Sequence, residues 1–365
     1  MERSSWRIPG TTVSSGLTRI DGSGESIGVK GLMKERVRIA MVGAGRLANT
    51  VHYPSLASFP DVDIVAVADI DNAALTSTAD RYGIAGRYSD YQRMVSEMKP
   101  DGVFVIGQPH LMYDIWVWCL QQGLPLAIQK PLGLSMHQAR ILTHLAETAG
   151  VVTQVGFQRR ASPILMLLRE RVRASGPITQ AMVQFYKPGP EPMIGARDRM
   201  MDDCVHAIDT VRWLCGDGLG TQSGAEVVAV ESRCRRIGTP DINWVHASLT
   251  FDNGSQGIVL CNWASGRRIF RIEMHAPGAC AEGDQEGVMH YFDATTAAGE
   301  GVRYEAQAVS GSDRMIDARG FLAKDREFID SLLTGRHLTS SPFRDAIKTM
   351  DVAERILAQA LLATG

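Results

Sequence analysis

The sequence predicts an α/β chain in two parts: a doubly wound parallel sheet, then an α+β unit carrying an open, mostly antiparallel sheet. Three observations predict it. Short Val- and Ile-rich runs alternate with helical stretches up to about residue 158. Beyond that point strand patterns follow one another with few helices between them. A length of 365 residues suits two domains better than one.

The apolar runs of the first part are Val37–Val42, Val62–Ala68, Gly102–Ile106, Leu126–Ile128 and Val151–Val155. Such nearly continuous runs suit strands covered on both faces, as in a parallel sheet. Between the last two, Ala139, Leu142, Leu145 and Ala146 recur at helical spacing, with Ser135 as the cap and Gly150 as the stop. In the second part, helices are expected over Pro163–Arg173, Met201–Cys215, Phe321–Leu333 and Asp345–Leu362. A strand is expected over Gln180–Tyr186, and mostly strands from Ala225 to Val309. Asn253-Gly254 predicts a hairpin closed by a type I′ turn.

The expected division is 1–33, 34–158 and 159–365. The first segment is polar, rich in Gly and Ser and lacks the apolar core of a signal peptide, so it reads as a disordered extension, with Met33 as a second candidate start. The last helix, 345–362, is expected to return and pack on the first domain, because one face of its sheet needs cover.

Composition excludes several classes. Lys plus Arg number 38 and Asp plus Glu 40, a net charge of −2, with no basic block; nucleic acid is not an expected partner. Hydrophobic residues make up 45%, enough for a sizeable core, yet no run reaches the roughly 18 apolar residues of a membrane span. Six scattered cysteines without a C-x-x-C pair read as free thiols in a reducing cytoplasm.

Four features carry chemistry. Gly43-Ala44-Gly45-Arg46-Leu47-Ala48 lies between the first strand and a helix, the arrangement that lets a backbone approach a pyrophosphate at a helix N-terminus. Asp69, at the end of the second strand, is placed to accept the ribose hydroxyls of adenosine and to repel a 2′-phosphate, which favours NAD over NADP. Lys130, in Gln129-Lys130-Pro131, follows the fourth run and should face the crevice, where an ammonium stabilises a developing alkoxide. Asp202 and His206 sit at i and i+4 on one helix, with Asp209 further along the face; a carboxylate one turn from an imidazole can fix its tautomer for acid–base work. No further ligand cluster accompanies this pair, so no metal is expected.

In this order the four features resemble the glucose–fructose oxidoreductase, inositol dehydrogenase and rhizopine-catabolism (Gfo/Idh/MocA) family, from about Arg36 to Leu362. Val37–Gly45 is similar to its opening strand and turn, and Ile128-Gln129-Lys130-Pro131-Leu132 to its Glu-Lys-Pro motif. Val155–Arg160 is similar to its interdomain strand, and Asp202-x-x-x-His206-x-Ile208-Asp209 to its catalytic helix. The resemblance implies a Rossmann domain and a nicotinamide-dependent oxidoreductase acting on a sugar, cyclitol or related polyol. It implies that Lys130 and His206 flank the reacting hydroxyl, with Asp202 orienting His206 or binding a neighbouring hydroxyl. Cofactor contacts are then expected from Gly43, Gly45, Arg46, Leu47, Asp69, Gln108, Pro109, Gln129, Lys130 and Gln158. Substrate contacts are expected from Lys130, Arg159, Asp202 and His206, with selectivity in Tyr113, Arg159, Lys187 and Arg197. A homodimer or homotetramer is implied as well.

Three positions depart from the family pattern: Gln129 for glutamate, Tyr113 for histidine, and Asp203-Cys204 where an x-Gly pair is frequent. The same motifs also admit a redox-neutral sugar oxidoreductase or an NAD-dependent glycosidase that retains its cofactor. A non-catalytic sugar- or nucleotide-binding regulator is the third reading, and the presence of both Lys130 and His206 speaks against it.

Overall fold

The computed structural model describes residues 34–189, 199–216, 224–296 and 299–362; the N-terminal extension expected over 1–33 lies outside them. Six strands, β1 (Val37–Val42), β2 (Val62–Ala68), β3 (Gly86–Tyr88), β4 (Gly102–Val105), β5 (Leu126–Ile128) and β6 (Thr153–Val155), form a parallel sheet ordered 3-2-1-4-5-6. The chain reverses its winding between β1 and β4, the switch point where doubly wound sheets hold ligands. The apolar runs follow from burial: β4 and β5 are buried at every residue. Strand β3 had no apolar run to announce it. It is a three-residue edge strand, and a Cβ at Gly86 would lie 2.6 Å from the Val65 carbonyl oxygen. The helix Met136–Ala149 begins at Ser135, whose hydroxyl accepts from the Gln138 amide, and ends at Gly150 with φ +63°.

Eight strands form the second sheet: β7 (Gln180–Pro188), β8 (Val227–Arg235), β9 (Trp244–Phe251), β10 (Gln256–Asn262), β11 (Ala264–Ala276), β12 (Ala279–Asp284), β13 (Val288–Asp293) and β14 (Val302–Glu305). Their order is 14-13-12-11-7-10-9-8, antiparallel throughout except for the β7–β10 pair. The β9–β10 hairpin forms, but its turn is not type I′. The Gly254 amide donates to the Phe251 carbonyl, and only Gly254 has positive φ, +86°. A type I turn followed by one left-handed glycine needs no left-handed Asn253, which the I′ form requires.

The helix Val205–Cys215 lies against β7 and β10 and is buried at every residue. It is preceded by a wider, π-type turn over Met200–Cys204 rather than by continuous α-helix from Met201. The helix Phe343–Leu362 packs on Val205–Cys215, on Met136–Ala149 and on β8, with its first amide donating to the hydroxyl of Thr153, the first residue of β6.

A buried ion cluster ties these elements. Arg160, 1% exposed, donates to both oxygens of Asp209 at 2.8 and 2.5 Å and to the Ser340 carbonyl at 2.8 Å, and its guanidinium meets Asp345 at 2.7 Å. Asp345 also pairs with Arg212, and Thr349 donates to Asp209. Asp209, expected on the face that carries the chemistry, is therefore a structural anchor. Asp209→Ala should cost roughly 3–5 kcal/mol, because it takes from a buried guanidinium one of its two carboxylates. Denaturant unfolding should show that loss, and an unchanged midpoint would remove the anchor from the stability argument.

Candidate active site

The site begins at the glycine turn after β1. Gly43 has φ +105°, and a Cβ there would fall 2.0 Å from the Ile106 carbonyl oxygen, so only glycine fits. A Cβ on Gly45 would meet no protein atom within 4 Å. Gly45 instead borders an open cleft. The helical residues that follow, 46–57, include a π-type turn over Ala48–His52. Two such wide turns therefore flank the cleft, one on each side.

Arg46, Leu47, Gln108, Pro109, Gln129, Lys130 and Gln158 line the same cleft, joined by Lys187, Asp202, His206 and Phe321. Gly43 and Asp69 stand behind the lining and shape the turn. Asp69 accepts from the Ala44 amide at 2.6 Å and the Asp71 amide at 2.8 Å. Its neighbour Ile70 is 89% exposed, an apolar side chain open to an aromatic base. The residues fit a dinucleotide: Gly45 leaves free the space that a side chain would take from a pyrophosphate. The buried Gln158 Oε1 has no partner among the described residues.

Beside this region, Lys130 follows β5 at a cis Lys130–Pro131 peptide. Its ammonium donates to the Asp202 backbone carbonyl and reaches the Asp202 carboxylate at 3.3 Å. Asp202 was expected one α-helical turn from His206. Because it sits in the π-type turn, the regular i,i+4 step does not apply, and its carboxylate is drawn to Lys130. His206 Nδ1 is buried without an acceptor among the described residues. The imidazole packs edge-on against Phe157 at 6.2 Å. Burial first, then the positive charges of Lys130, Arg159, Lys187 and Arg268, hold its pKa well below the ordinary histidine value. A neutral imidazole is the form that accepts a proton.

Gln129 turns away from Lys130. Its amide nitrogen lies 2.8 Å from His52 Nε2, and His52 Nδ1 lies 3.0 Å from Asp325. A carboxylate only accepts, so Nδ1 carries the proton and Nε2 receives the Gln129 N–H. The carboxylate beside Lys130 is thus Asp202, and the one behind Gln129 is Asp325, reached through an imidazole. Neither His52 nor Asp325 was signalled by the sequence, since 273 positions separate them. Phe321 was missed for the same reason.

The selectivity candidates divide. Lys187 lines the cleft, with its ammonium 2.7 Å from both oxygens of Asp203. Trp263 also donates to Asp203, at 3.0 Å. Although burial raises the Asp203 pKa, Lys187 and Lys130 bring it below the usual value. Arg159, expected to touch substrate, is buried instead behind the cleft wall, stacked 3.4 Å from the Phe270 ring centre and paired with Glu286. Tyr113, on the helix Pro109–Gln121, packs against the core and is not part of the lining. Arg197 lies outside the described residues.

Residues 37–157 match the Gfo/Idh/MocA family model, described as an oxidoreductase family with an NAD-binding Rossmann fold. The match places the first unit, residues 37–157, with that family's NAD-binding Rossmann fold. It is 31% identical over 136 residues to D-glucoside 3-dehydrogenase of Escherichia coli, covering 37% of this chain and 39% of that protein. It is 25% identical to scyllo-inositol 2-dehydrogenase (NAD(+)) of Bacillus subtilis, over 62% of this chain and 67% of that protein. In fold it is similar to a dehydrogenase from Chromobacterium violaceum, with a TM-score of 0.79 at 20% identity over 91% of this chain and 97% of that one.

A carboxylate at the end of β2 should exclude a 2′-phosphate, since like charges brought together cost several kcal/mol. NAD should therefore bind at least about tenfold more tightly than NADP, and Asp69→Ser should narrow the gap. Fluorescence titration with both reduced nucleotides checks this, and a preference for NADP would remove Asp69 from cofactor selection.

Proposed function

We propose that the chain is an NAD-dependent dehydrogenase that oxidises a secondary hydroxyl of a sugar, cyclitol or related polyol. In this reading residues 34–158 bind the cofactor, and residues 159–365 supply substrate contacts and the surface of a homodimer or homotetramer. The observation that carries it is the convergence of Lys130, His206 and Asp202 on the cleft that opens at Gly45. The dehydrogenase names of the two curated relatives support the polyol class.

The chemistry follows from charge. NAD, when bound, takes up the hydride. His206, neutral because burial and four nearby cations disfavour its proton, accepts the hydroxyl proton. Lys130, held by Asp202, sets a positive charge against the oxygen as it becomes alkoxide. Gln129, fixed by His52, presents its side-chain carbonyl as an acceptor of set direction.

Screening polyols, sugars and sugar acids for NADH formation tests the reading. His206→Ala should lower turnover about 10²–10⁴-fold with NAD affinity nearly unchanged. Lys130→Met, which keeps stem volume and deletes the charge, should lower turnover in a folded protein. Near-normal rates in both variants would sink the assignment.

The acid limb carries a sign. The base works unprotonated and its pKa is depressed, so kcat/KM should stay level as pH falls through the ordinary histidine value near about 6.5. It should drop only at lower pH. Removing one of the depressing charges by Lys187→Met should move that limb upward. A limb centred at the ordinary value in the unaltered protein would show that the burial argument fails.

A further inference from the structure

Phe185 on β7 is ringed by cations. Lys187 Nζ lies 4.8 Å from its ring centre, and the guanidinium carbons of Arg159 and Arg268 each lie 5.4 Å away. Lys187 is two residues along β7, hence on the same face as Phe185, and that face borders the cleft at Lys187. Phe270 pairs with Phe185 across β7 and β11; the register of that ladder breaks between Ala264 and Ile269, and Arg268, within the break, lays its guanidinium over the Phe185 ring on the face that carries Lys187.

The carboxylates bonded to these cations are too few. Glu286 alone serves Arg159 at 3.1 Å, Arg268 at 2.9 Å and Arg319 at 2.9 Å. Asp203 serves Lys187. Among the described residues, then, four cations share two carboxylates. Asp284, two residues before Glu286, turns an oxygen to the Glu286 backbone amide; counting its charge as well still leaves four cations against three carboxylates. The buried Arg159 Nε and Nη1 find no acceptor among the described residues. The Lys130–Asp202 pair is balanced and adds nothing to the excess. Burial and this field together also pull the Lys187 pKa down, with Arg268 and Lys130 contributing after the burial effect.

Resting on the dehydrogenase reading, we propose that the substrate is an acidic polyol, one bearing a carboxylate or phosphate group that docks against Lys187 and Arg268 while its hydroxyl meets His206. A neutral sugar would leave the excess charge at the cleft wall unanswered. An anion there completes the count; the Nε–Nη2 edge of Arg268 holds Glu286, which leaves its Nη1 side to meet the oxygens of either group. The same anion opposes the cations that depress His206, so binding strengthens the base at the moment it is needed.

The test compares matched pairs on the protein with its cofactor: galacturonate with galactose, glucuronate with glucose, and glucose 6-phosphate with glucose. Turnover is read as kcat/KM with NAD, and binding by calorimetry on the NADH-loaded protein, which needs no reaction. The acidic member of at least one pair should be favoured roughly ten- to hundredfold in both readouts, the scale of charge-assisted hydrogen bonds. Which pair shows it separates carboxylate from phosphate. Arg268→Met leaves Glu286 its other two arginines and should fold; it should erase most of that preference, read as the ratio of acidic to neutral kcat/KM so that any change in His206 common to both members cancels. Lys187→Met should act in the same direction. Equal binding of acidic and neutral members overturns the inference, as does an acid-to-neutral ratio that Arg268→Met leaves unchanged. Rapid oxidation of neutral sugars with no acid preference would leave the dehydrogenase reading intact. Selective binding of the acid without oxidation of any hydroxyl would instead leave the anion site standing and sink that reading.

Discussion

The buried pairing of Arg160 with Asp209 and Asp345 is the constraint on which the rest of the structure depends. Arg160 comes two residues after Gln158 in the segment that leaves the parallel sheet, Asp209 lies on the buried helix of the second unit, and Asp345 opens the last helix. One guanidinium therefore fixes three elements far apart in sequence. His206 precedes Asp209 by three residues, so the same clamp that seats the helix sets the imidazole against the cleft. Charges this deeply buried are tolerated only when each is paired, which makes the arrangement specific as well as stable.

Around the cleft, the same accounting of charge gives each acid a separate task. Asp202 holds Lys130, Asp203 holds Lys187, and Glu286 gathers three arginines behind the wall. Asp325 acts on Gln129 through His52. None of these carboxylates is bonded to His206 Nδ1, which is why burial and positive charge govern its protonation. A histidine that stays neutral in a cationic site is poised to take a proton and reluctant to keep it, the behaviour wanted of a base that must be reset each cycle.

The departures from the family pattern acquire physical meaning in this setting. Asp203, in the Asp203-Cys204 pair that replaces an x-Gly pair, anchors Lys187 and receives the Trp263 N–H. Gln129, lacking the charge of glutamate, matches a His52 whose other nitrogen is already committed to Asp325. A second carboxylate at position 129 would face the lone pair of that ring nitrogen unless the imidazole took up a proton.

Sequence alone determined the parallel sheet, the glycine turn and the motif residues, because each leaves a local mark. Doubly covered strands read as Val/Ile runs, a backbone that must approach phosphate needs glycine, and caps such as Ser135 punctuate helices. It did not show β3, which is short and lies at an edge, nor the π-type turn that redirects Asp202 from His206 to Lys130. Only the tertiary structure decided partnerships across long separations: His52 with Asp325, Arg160 with Asp345, and Arg159 with Glu286 rather than with the cleft. The reason is that periodicity and turn chemistry are properties of neighbours along the chain. The pairing of buried charges is set by which surfaces the folded sheets bring face to face.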